Sequence, residues 1–144
     1  MAETGGALEL PRYRDILNLN RRHIETTGGE WVAPDNVRNA GSLRWVLEAI
    51  QHPLFGSQRY PTLAEKAALL AWIIIDGHVF FDGCKRTGMA ALEMVLWRNG
   101  YELQASGDQI IEIALRIARR AEEPFSLDEL IAWVRASIRR WPGS

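Results

Sequence analysis

Apolar residues recur at helical spacing along most of the chain. Leu43, Val46, Leu47 and Ile50 fall at positions i, i+3, i+4 and i+7, which places them on one face of a helix. Similar periodicity, or an apolar run of helical length, covers residues 13–24, 63–75, 89–97, 110–118 and 130–138. The pattern therefore predicts an all-α bundle of about six helices.

Capping residues mark the ends of these helices. Thr62 with Glu65, and Ser126 with Glu129, have the spacing of capping boxes, in which side chains pair with free amides of a first turn. The helix after Thr62 is apolar on nearly every face through Ile75, so we expect it at the centre of the bundle. Helix ends are predicted beside Gly28, Pro53, Gly77 and Gly100.

Residues 27–41 interrupt the helical pattern. Two glycines precede Trp31, and Pro34 is followed by Asp35 and Asn36, a composition typical of a turn. We expect a short β-hairpin flap between the first two helices. Loops on a rigid scaffold often bind partners, so Trp31 is either a packing residue of the hairpin or a partner contact.

Composition limits the class of protein. The chain has 144 residues, of which 47% are hydrophobic, and a net charge of −1. We expect one domain over residues 1–144, with no general attraction to nucleic acid or a membrane surface. The apolar stretch at 67–75 is far shorter than the roughly 20 residues of a membrane span. Cys84 cannot form an internal disulfide, and residues 1–6 lack a signal-peptide pattern, so a cytoplasmic protein is expected.

A polar segment, residues 78–86, lies between the two most apolar helices. A loop that leads into a helix presents unpaired N–H groups and the positive end of the helix dipole. Gly83 permits a tight turn and the close approach of an anion. Lys85 and Arg86 add cations in the first helical turn, which the dipole disfavours unless an anion neutralises them. The segment therefore predicts a phosphate-binding turn.

Two further side chains support group transfer at this turn. Asp82 is placed either to cap the helix or to hold a magnesium ion that bridges phosphate oxygens. His78 carries an imidazole, which is a suitable base towards an attacking hydroxyl near neutral pH. Together these groups suit phosphoryl or nucleotidyl transfer, which depends on positioning and charge neutralisation.

The same segment resembles the signature of a known family. It contains His78-x-Phe80-x-Asp82-Gly83-x-Lys85-Arg86-Thr87, which is similar to the H-x-F-x-D-x-N-K-R-T pattern of the Doc branch of the Fic/Doc family. The resemblance covers roughly residues 13–101. It implies a Fic/Doc-type helical bundle in which His78 takes a proton from a target hydroxyl and Asp82 binds Mg²⁺. It also implies nucleotide binding by Gly83, Cys84, Lys85 and Arg86, and docking of a target segment, as an added strand, on Trp31, Val32 and Asn36 of the flap.

The segment departs from the AMP-transferring branch, whose pattern is H-P-F-x-[DE]-G-N-G-R-x-x-R. Val79, Lys85 and Met89 replace its proline, its glycine and its second arginine. The resemblance thus implies a toxin that moves a phosphate from ATP to a hydroxyl of a cytosolic protein, with translation factors as the implied class. AMP transfer is the alternative. No Ser/Thr-x-x-x-Glu-(Gly/Asn) inhibitory motif is evident, so a separate antitoxin is expected.

Cys84 occupies the place of the signature asparagine, and a thiol is a weaker hydrogen-bonding group than an amide. Three hypotheses therefore stay open: an active transferase, a weakened fold that only binds a nucleotide or an antitoxin, and a thiol enzyme that pairs Cys84 with His78. The helix N-terminus and neighbouring cations favour a lowered pKa for this thiol. His23 and His52 lack metal-ligand spacing and are expected to be structural or exposed.

Overall fold

Six helices and two short strands make up the described part of the chain. The structure is a computed structural model that describes residues 8–52 and 59–142. The elements are α1 (Tyr13–Thr27), α2 (Ala40–Gln51), α3 (Leu63–Asp76), α4 (Cys84–Arg98), β1 (Tyr101–Leu103), α5 (Gly107–Ala118), α6 (Leu127–Ser137) and β2 (Ile138–Arg140). The predicted all-α class is confirmed. Within the two described ranges, no helix combines the length and hydropathy of a membrane span.

The helix α3 lies at the centre of the bundle, as its apolar sequence predicts. It packs against α2, α4, α5 and α6, and Ala67, Leu70 and Ile74 are fully buried. Its predicted capping box is confirmed, because the Thr62 hydroxyl accepts the N–H of Glu65 and the Glu65 carboxylate accepts the N–H of Thr62. The start of the central helix is therefore fixed by local hydrogen bonds, and its position by burial.

The helix α2 ends beside its predicted stop and is tied to α3. Its last residue is Gln51, whereas the predicted stop, Pro53, lies outside the described residues. The buried ammonium group of Lys66 on α3 donates to the carbonyl oxygen of Ile50 at 2.6 Å, and burial lowers the pKa of Lys66. A donor at this position satisfies a carbonyl that the last turn of α2 leaves unpaired.

A glycine sets the separation of α3 and α4. A Cβ atom at Gly88 would lie 2.6 Å from Cγ1 of Ile75 and 3.2 Å from the carbonyl oxygen of Ala71. The absence of a side chain therefore lets the two helices approach closely. Because residues 77–83 (the connecting loop) join the end of α3 to the start of α4, this packing also fixes the distance that the connecting loop spans.

The helix α4 begins earlier than the apolar pattern predicts. Residues Cys84, Lys85 and Arg86 form its first turn, so the segment 78–86 is partly helical rather than a loop throughout. The apolar pattern marks only the buried part of α4, from Met89 onwards, because the first turn is polar. This start agrees with the expectation that Lys85 and Arg86 lie in a first helical turn.

The paired strands lie outside the flap. β1 and β2 are antiparallel, with Tyr101 opposite Arg140, and strands of three residues are too short to show an alternating pattern. Residues 28–39 form a turn at 33–35 in place of the expected paired hairpin arms. The flap pairs instead with the connecting loop, through a single bridge between Val37 and Phe80. The flap thus comprises residues 28–39, between α1 and α2.

Replacing Gly88 by alanine should lower the free energy of unfolding by about 1–3 kcal/mol, since the new methyl group overpacks the interface with Ile75. Urea unfolding followed by circular dichroism measures this change. Gly41→Ala in α2 is the matched control, because a Cβ there meets nothing within 4 Å, and it should leave stability equal or raised by up to about 1 kcal/mol. Equal stability of the two variants would contradict the role given to Gly88.

Candidate active site

Backbone hydrogen bonds hold the connecting loop against the flap. The carbonyl oxygen of Val79 accepts the N–H groups of Arg38, at 2.7 Å, and of Asn39, at 3.0 Å. Phe80 pairs with Val37 at the isolated bridge, and the side chains of Val79 and Phe80 are buried. The connecting loop is therefore anchored in the core at Val79 and Phe80, between His78 and Asp82.

Two buried asparagines join α1, the flap and the connecting loop. The Asn20 amide donates to the carbonyl oxygen of Asp82 at 2.9 Å and to Oγ1 of Thr87 at 3.1 Å, and its Oδ1 accepts the Asn36 amide at 3.0 Å. The Asn36 amide also donates to the Asp82 carbonyl at 3.3 Å, and its Oδ1 accepts the N–H of Val32 at 2.9 Å. Asn20, Asn36 and Thr87 are fully buried. Because buried polar groups must be paired, this network favours a single arrangement of the connecting loop.

Asn36 has a structural role in the flap, and its side chain is not available to a target segment. Its side chain is fully buried and bonded at both ends within the protein, so it holds the flap in place instead. Asn20, its partner, was not predicted as a site residue. The available signal was an amide on the apolar face of α1, between Ile16 and Ile24, where an unpaired polar group would destabilise the fold.

Trp31 and Val32 form the exposed part of the flap. Their side chains are 37% and 40% exposed, and the guanidinium of Arg21 lies 5.6 Å from the centre of the Trp31 ring. Trp31 therefore stacks on α1 through one face. The exposed remainder of both side chains is available to a partner, as the docking prediction requires.

The thiol of Cys84 closes the connecting loop. Its Sγ donates to the carbonyl oxygen of Phe80 at 3.1 Å and accepts the Phe80 N–H at 3.3 Å. The prediction of a lowered pKa is wrong: burial raises the pKa of Cys84 by more than the Phe80 backbone and the Lys85 cation lower it. Since the thiol bonds to Phe80 rather than to His78, this geometry weighs against the thiol-enzyme hypothesis.

Both carboxylate oxygens of Asp82 accept backbone N–H groups. Oδ1 accepts from Gly83 at 2.7 Å, and Oδ2 accepts from Glu30 of the flap at 2.8 Å. A Cβ at Gly29 would lie 2.8 Å from Oδ2, so only glycine lets the flap approach this carboxylate. The N-cap of α4 is Gly83, at φ +83°, which has no side chain to cap the helix. The alternative that Asp82 is the N-cap of α4 is therefore wrong.

The surroundings of Asp82 fit a magnesium ion held mainly by phosphates. Across the residues that the structure describes, no group of three or more His, Cys, Asp or Glu side chains is placed to hold a metal. Mg²⁺ typically binds one or two carboxylates together with water and phosphate oxygens, so a single carboxylate is sufficient. Each oxygen of Asp82 keeps a second lone pair beside its N–H bond, which leaves Asp82 able to act as such a ligand.

A groove of about 330 Å³ opens at the start of α4. Its polar side contains Asp82, Gly83, Lys85 and Arg86, and its apolar side contains Met89 together with Ile110, Ile111, Ala114 and Leu115 of α5. The first bond of α4 to its N-cap runs from Thr87 N–H to the Gly83 carbonyl, at 2.9 Å. The N–H groups of Cys84, Lys85 and Arg86 therefore have no acceptor within α4. Free amides, cations and a carboxylate thus meet at one end of an apolar groove.

His78 does not line this groove. The predicted nucleotide and metal ligands, Gly83, Cys84, Lys85, Arg86 and Asp82, line the groove together, whereas His78 is not among its lining residues. The His78 side chain is exposed and follows directly after the end of α3, at the other end of the connecting loop. A reaction that uses both groups must therefore bring a substrate across the connecting loop.

His23, which was predicted to be structural or exposed, also lines the groove. Its Cδ2 would lie 2.9 Å from a Cβ at Gly83, and its Nδ1 lies 3.0 Å from the hydroxyl of Thr27. Burial lowers the pKa of His23, and the cation of Arg86 lowers it further. Residue 23 is far from residue 83 in the chain, and no motif spacing links the two.

The sequence that forms this site is similar to known proteins. The family model described as Fic/DOC matches residues 10–96. The toxin Doc of Mycolicibacterium smegmatis is 34% identical over 91 residues, which cover 62% of this chain and 70% of that protein. The matched residues of the family model include α1, the flap, α3, the connecting loop and most of α4.

The folded protein should react slowly with iodoacetamide. At about pH 8, the raised pKa of Cys84 leaves less thiolate than in an unfolded chain. The thiol also donates a hydrogen bond to the carbonyl oxygen of Phe80. Mass spectrometry of timed samples, with and without guanidinium chloride, measures the two rates. Faster alkylation of the folded protein than of the unfolded chain would restore the reactive-cysteine hypothesis.

Proposed function

The chain belongs to the Fic/DOC family, and we propose that it is a toxin that transfers a phosphate from ATP to a hydroxyl group of a target protein. The groove at the start of α4 carries this proposal. Three helix amides without an acceptor in α4, two cations and a carboxylate meet there. Such a combination is suited to a chain of phosphate groups rather than to a neutral ligand.

The positive end of α4 would hold the phosphates. Lys85 and Arg86 are exposed cations in a first turn that has no acidic residue, a position that the helix dipole makes unfavourable. A bound polyphosphate would reverse this penalty, because the amides and both cations would then face negative charge. Lys85 also replaces the glycine of the AMP-transferring pattern, which supports phosphate transfer over AMP transfer.

The apolar side of the groove would receive the purine of ATP. Ile111 is 52% exposed, although burial of such a side chain is favourable, and Leu115 lies on the same side. A flat base placed against α5 would cover this apolar surface. Its triphosphate would then extend towards Lys85 and Arg86 at the start of α4.

Asp82 would hold Mg²⁺ together with phosphate oxygens. The ion, when bound, neutralises charge on the phosphates and orients the group that is transferred. The N–H groups of Gly83 and Glu30 fix the Asp82 carboxylate before any ligand arrives. The contribution of this chain to the metal site would therefore be a rigid carboxylate at the edge of the phosphate-binding groove.

His78 would act as the general base from outside the groove. A target hydroxyl held between the connecting loop and the flap would lie between the imidazole and the terminal phosphate. Its oxygen would form a bond to the γ-phosphorus, the bond from that phosphorus to the ADP oxygen would break, and the proton would pass to a nitrogen of His78. The products are a phosphorylated protein and ADP, and the imidazolium then releases its proton to solvent.

The outer side of the flap would receive the target segment. Exposed Trp31 and Val32 offer apolar contacts there. The backbone groups of Asn36, Arg38 and Asn39 already bond to the connecting loop, so strand addition would use the part of the flap before Asn36.

Because an active toxin would harm the cell that makes it, we also propose a separate antitoxin protein as a partner. The implied target class is a cytosolic translation factor.

ATP labelled at either its α- or its γ-phosphate tests the reaction in a bacterial lysate. The γ-label should appear on protein, and His78→Ala should reduce its transfer by roughly 10²- to 10⁴-fold, the usual contribution of a general base. His52→Ala is the control, since the His52 side chain is 65% exposed near the end of α2, and it should transfer normally. Incorporation of the α-label would instead establish AMP transfer.

A further inference from the structure

Asn39 occupies the N-cap of α2, yet its side chain does not cap that helix. Asparagine is among the best N-cap residues because its side-chain oxygen accepts a free amide of the first turn. The Asn39 side chain makes no such bond to α2. When a residue does not make its usual local hydrogen bond, we expect its side chain to form a functional contact with another part of the protein.

The Asn39 side chain bonds instead to the backbone around His78. Its Nδ2 donates to the carbonyl oxygens of Gly77, at 2.6 Å, and of His78, at 3.1 Å, which uses both amide protons. Its backbone N–H donates to the Val79 carbonyl at 3.0 Å. One residue of the flap therefore binds three consecutive carbonyl groups, and His78 is the middle residue of the three.

These bonds act where the backbone is strained. His78 has a φ of +47°, in the left-handed region that residues with a side chain adopt only at a cost in free energy. This conformation turns the chain sharply between the end of α3 and the buried Val79. It also fixes the direction in which the imidazole leaves the backbone. The carbonyls on both sides of the strained residue are held by Asn39.

We propose that Asn39 is a positioning residue for His78. By binding the carbonyls of Gly77 and His78, it keeps His78 in the left-handed conformation from which the imidazole reaches the target hydroxyl. The inference rests on the proposed function, in which His78 is the base. Asn39 does not line the groove at the start of α4, so it acts on proton transfer rather than on the binding of ATP.

Asn39→Asp separates this role from a purely structural one. Aspartate has the same shape and is an equally good N-cap, but it lacks both N–H donors and brings a negative charge against two carbonyl oxygens. If Asn39 only starts α2, this variant should be as stable and as active as the parent protein. Asn18→Asp, at an exposed position of α1, is the matched control because it makes the same change of charge.

Steady-state phosphate transfer gives the first readout. Asn39→Asp should lower kcat by about 10- to 100-fold, the scale of a misplaced catalytic group, while the KM for ATP stays within about twofold because the phosphate site is unchanged. Asn18→Asp should change neither constant. Equal kcat values for the two variants, or a rise in the KM for ATP without a fall in kcat, would overturn the role of Asn39.

The ¹³Cα and ¹³Cβ chemical shifts of His78 give a second readout that needs no activity, since they report its backbone conformation. They should indicate a positive φ in the parent protein and in Asn18→Asp, and should move away from it in Asn39→Asp. Unchanged shifts in Asn39→Asp would overturn the inference. If the parent protein transfers no phosphate but the shifts change as expected, the proposed function is contradicted. The hydrogen bonds from Asn39 would then still be shown to fix the backbone conformation of His78.

Discussion

The hydrogen bond between the buried amides of Asn20 and Asn36 is the contact on which the rest of the site depends. It joins α1 to the flap, and both amides donate to the same carbonyl oxygen of Asp82. Water does not reach these fully buried groups, so each must find its partner within the protein. Moving the connecting loop away would remove the Asp82 carbonyl that both buried amides bind. The loop is therefore held in one conformation by the fold rather than by a ligand.

The flap reaches both ends of the connecting loop, which explains how two separated chemical groups can form one site. Near its start, Glu30 donates to the carboxylate of Asp82. Near its end, Asn39 binds the backbone of His78. The groove at the start of α4 does not include the exposed imidazole of His78, and the flap and the connecting loop fix their relative position. Phosphoryl transfer depends largely on positioning and on charge neutralisation, so a rigid connection of this kind serves the proposed reaction. Cys84 makes the connecting loop more rigid by hydrogen-bonding to both the N–H and the carbonyl oxygen of Phe80.

Local sequence signals were sufficient for most of the fold and for the chemistry of the turn. Periodicity and capping predict the helices, and the density of polar residues between two apolar helices marks residues 78–86. Contacts between distant segments were not predictable in this way. Asn20 lies 62 residues from Asp82, and Asn39 lies 39 residues from His78.

The pKa of Cys84 was predicted in the wrong direction because the sequence shows the neighbouring charges but not the burial, and burial has the larger effect. β1 and β2 were missed because strands of three residues show no periodicity.

Hydrogen exchange at individual amides tests most directly whether the connecting loop is formed before ATP binds. The amides of Phe80 and Phe81 bond to Cys84 Sγ and to the Asn36 carbonyl, so without nucleotide they should exchange slowly. The amides of Lys85 and Arg86 have no acceptor within α4, and they should exchange rapidly until ATP and Mg²⁺ are added. Rapid exchange of Phe80 and Phe81 in the nucleotide-free protein, at the rate of an unstructured chain, would contradict the account.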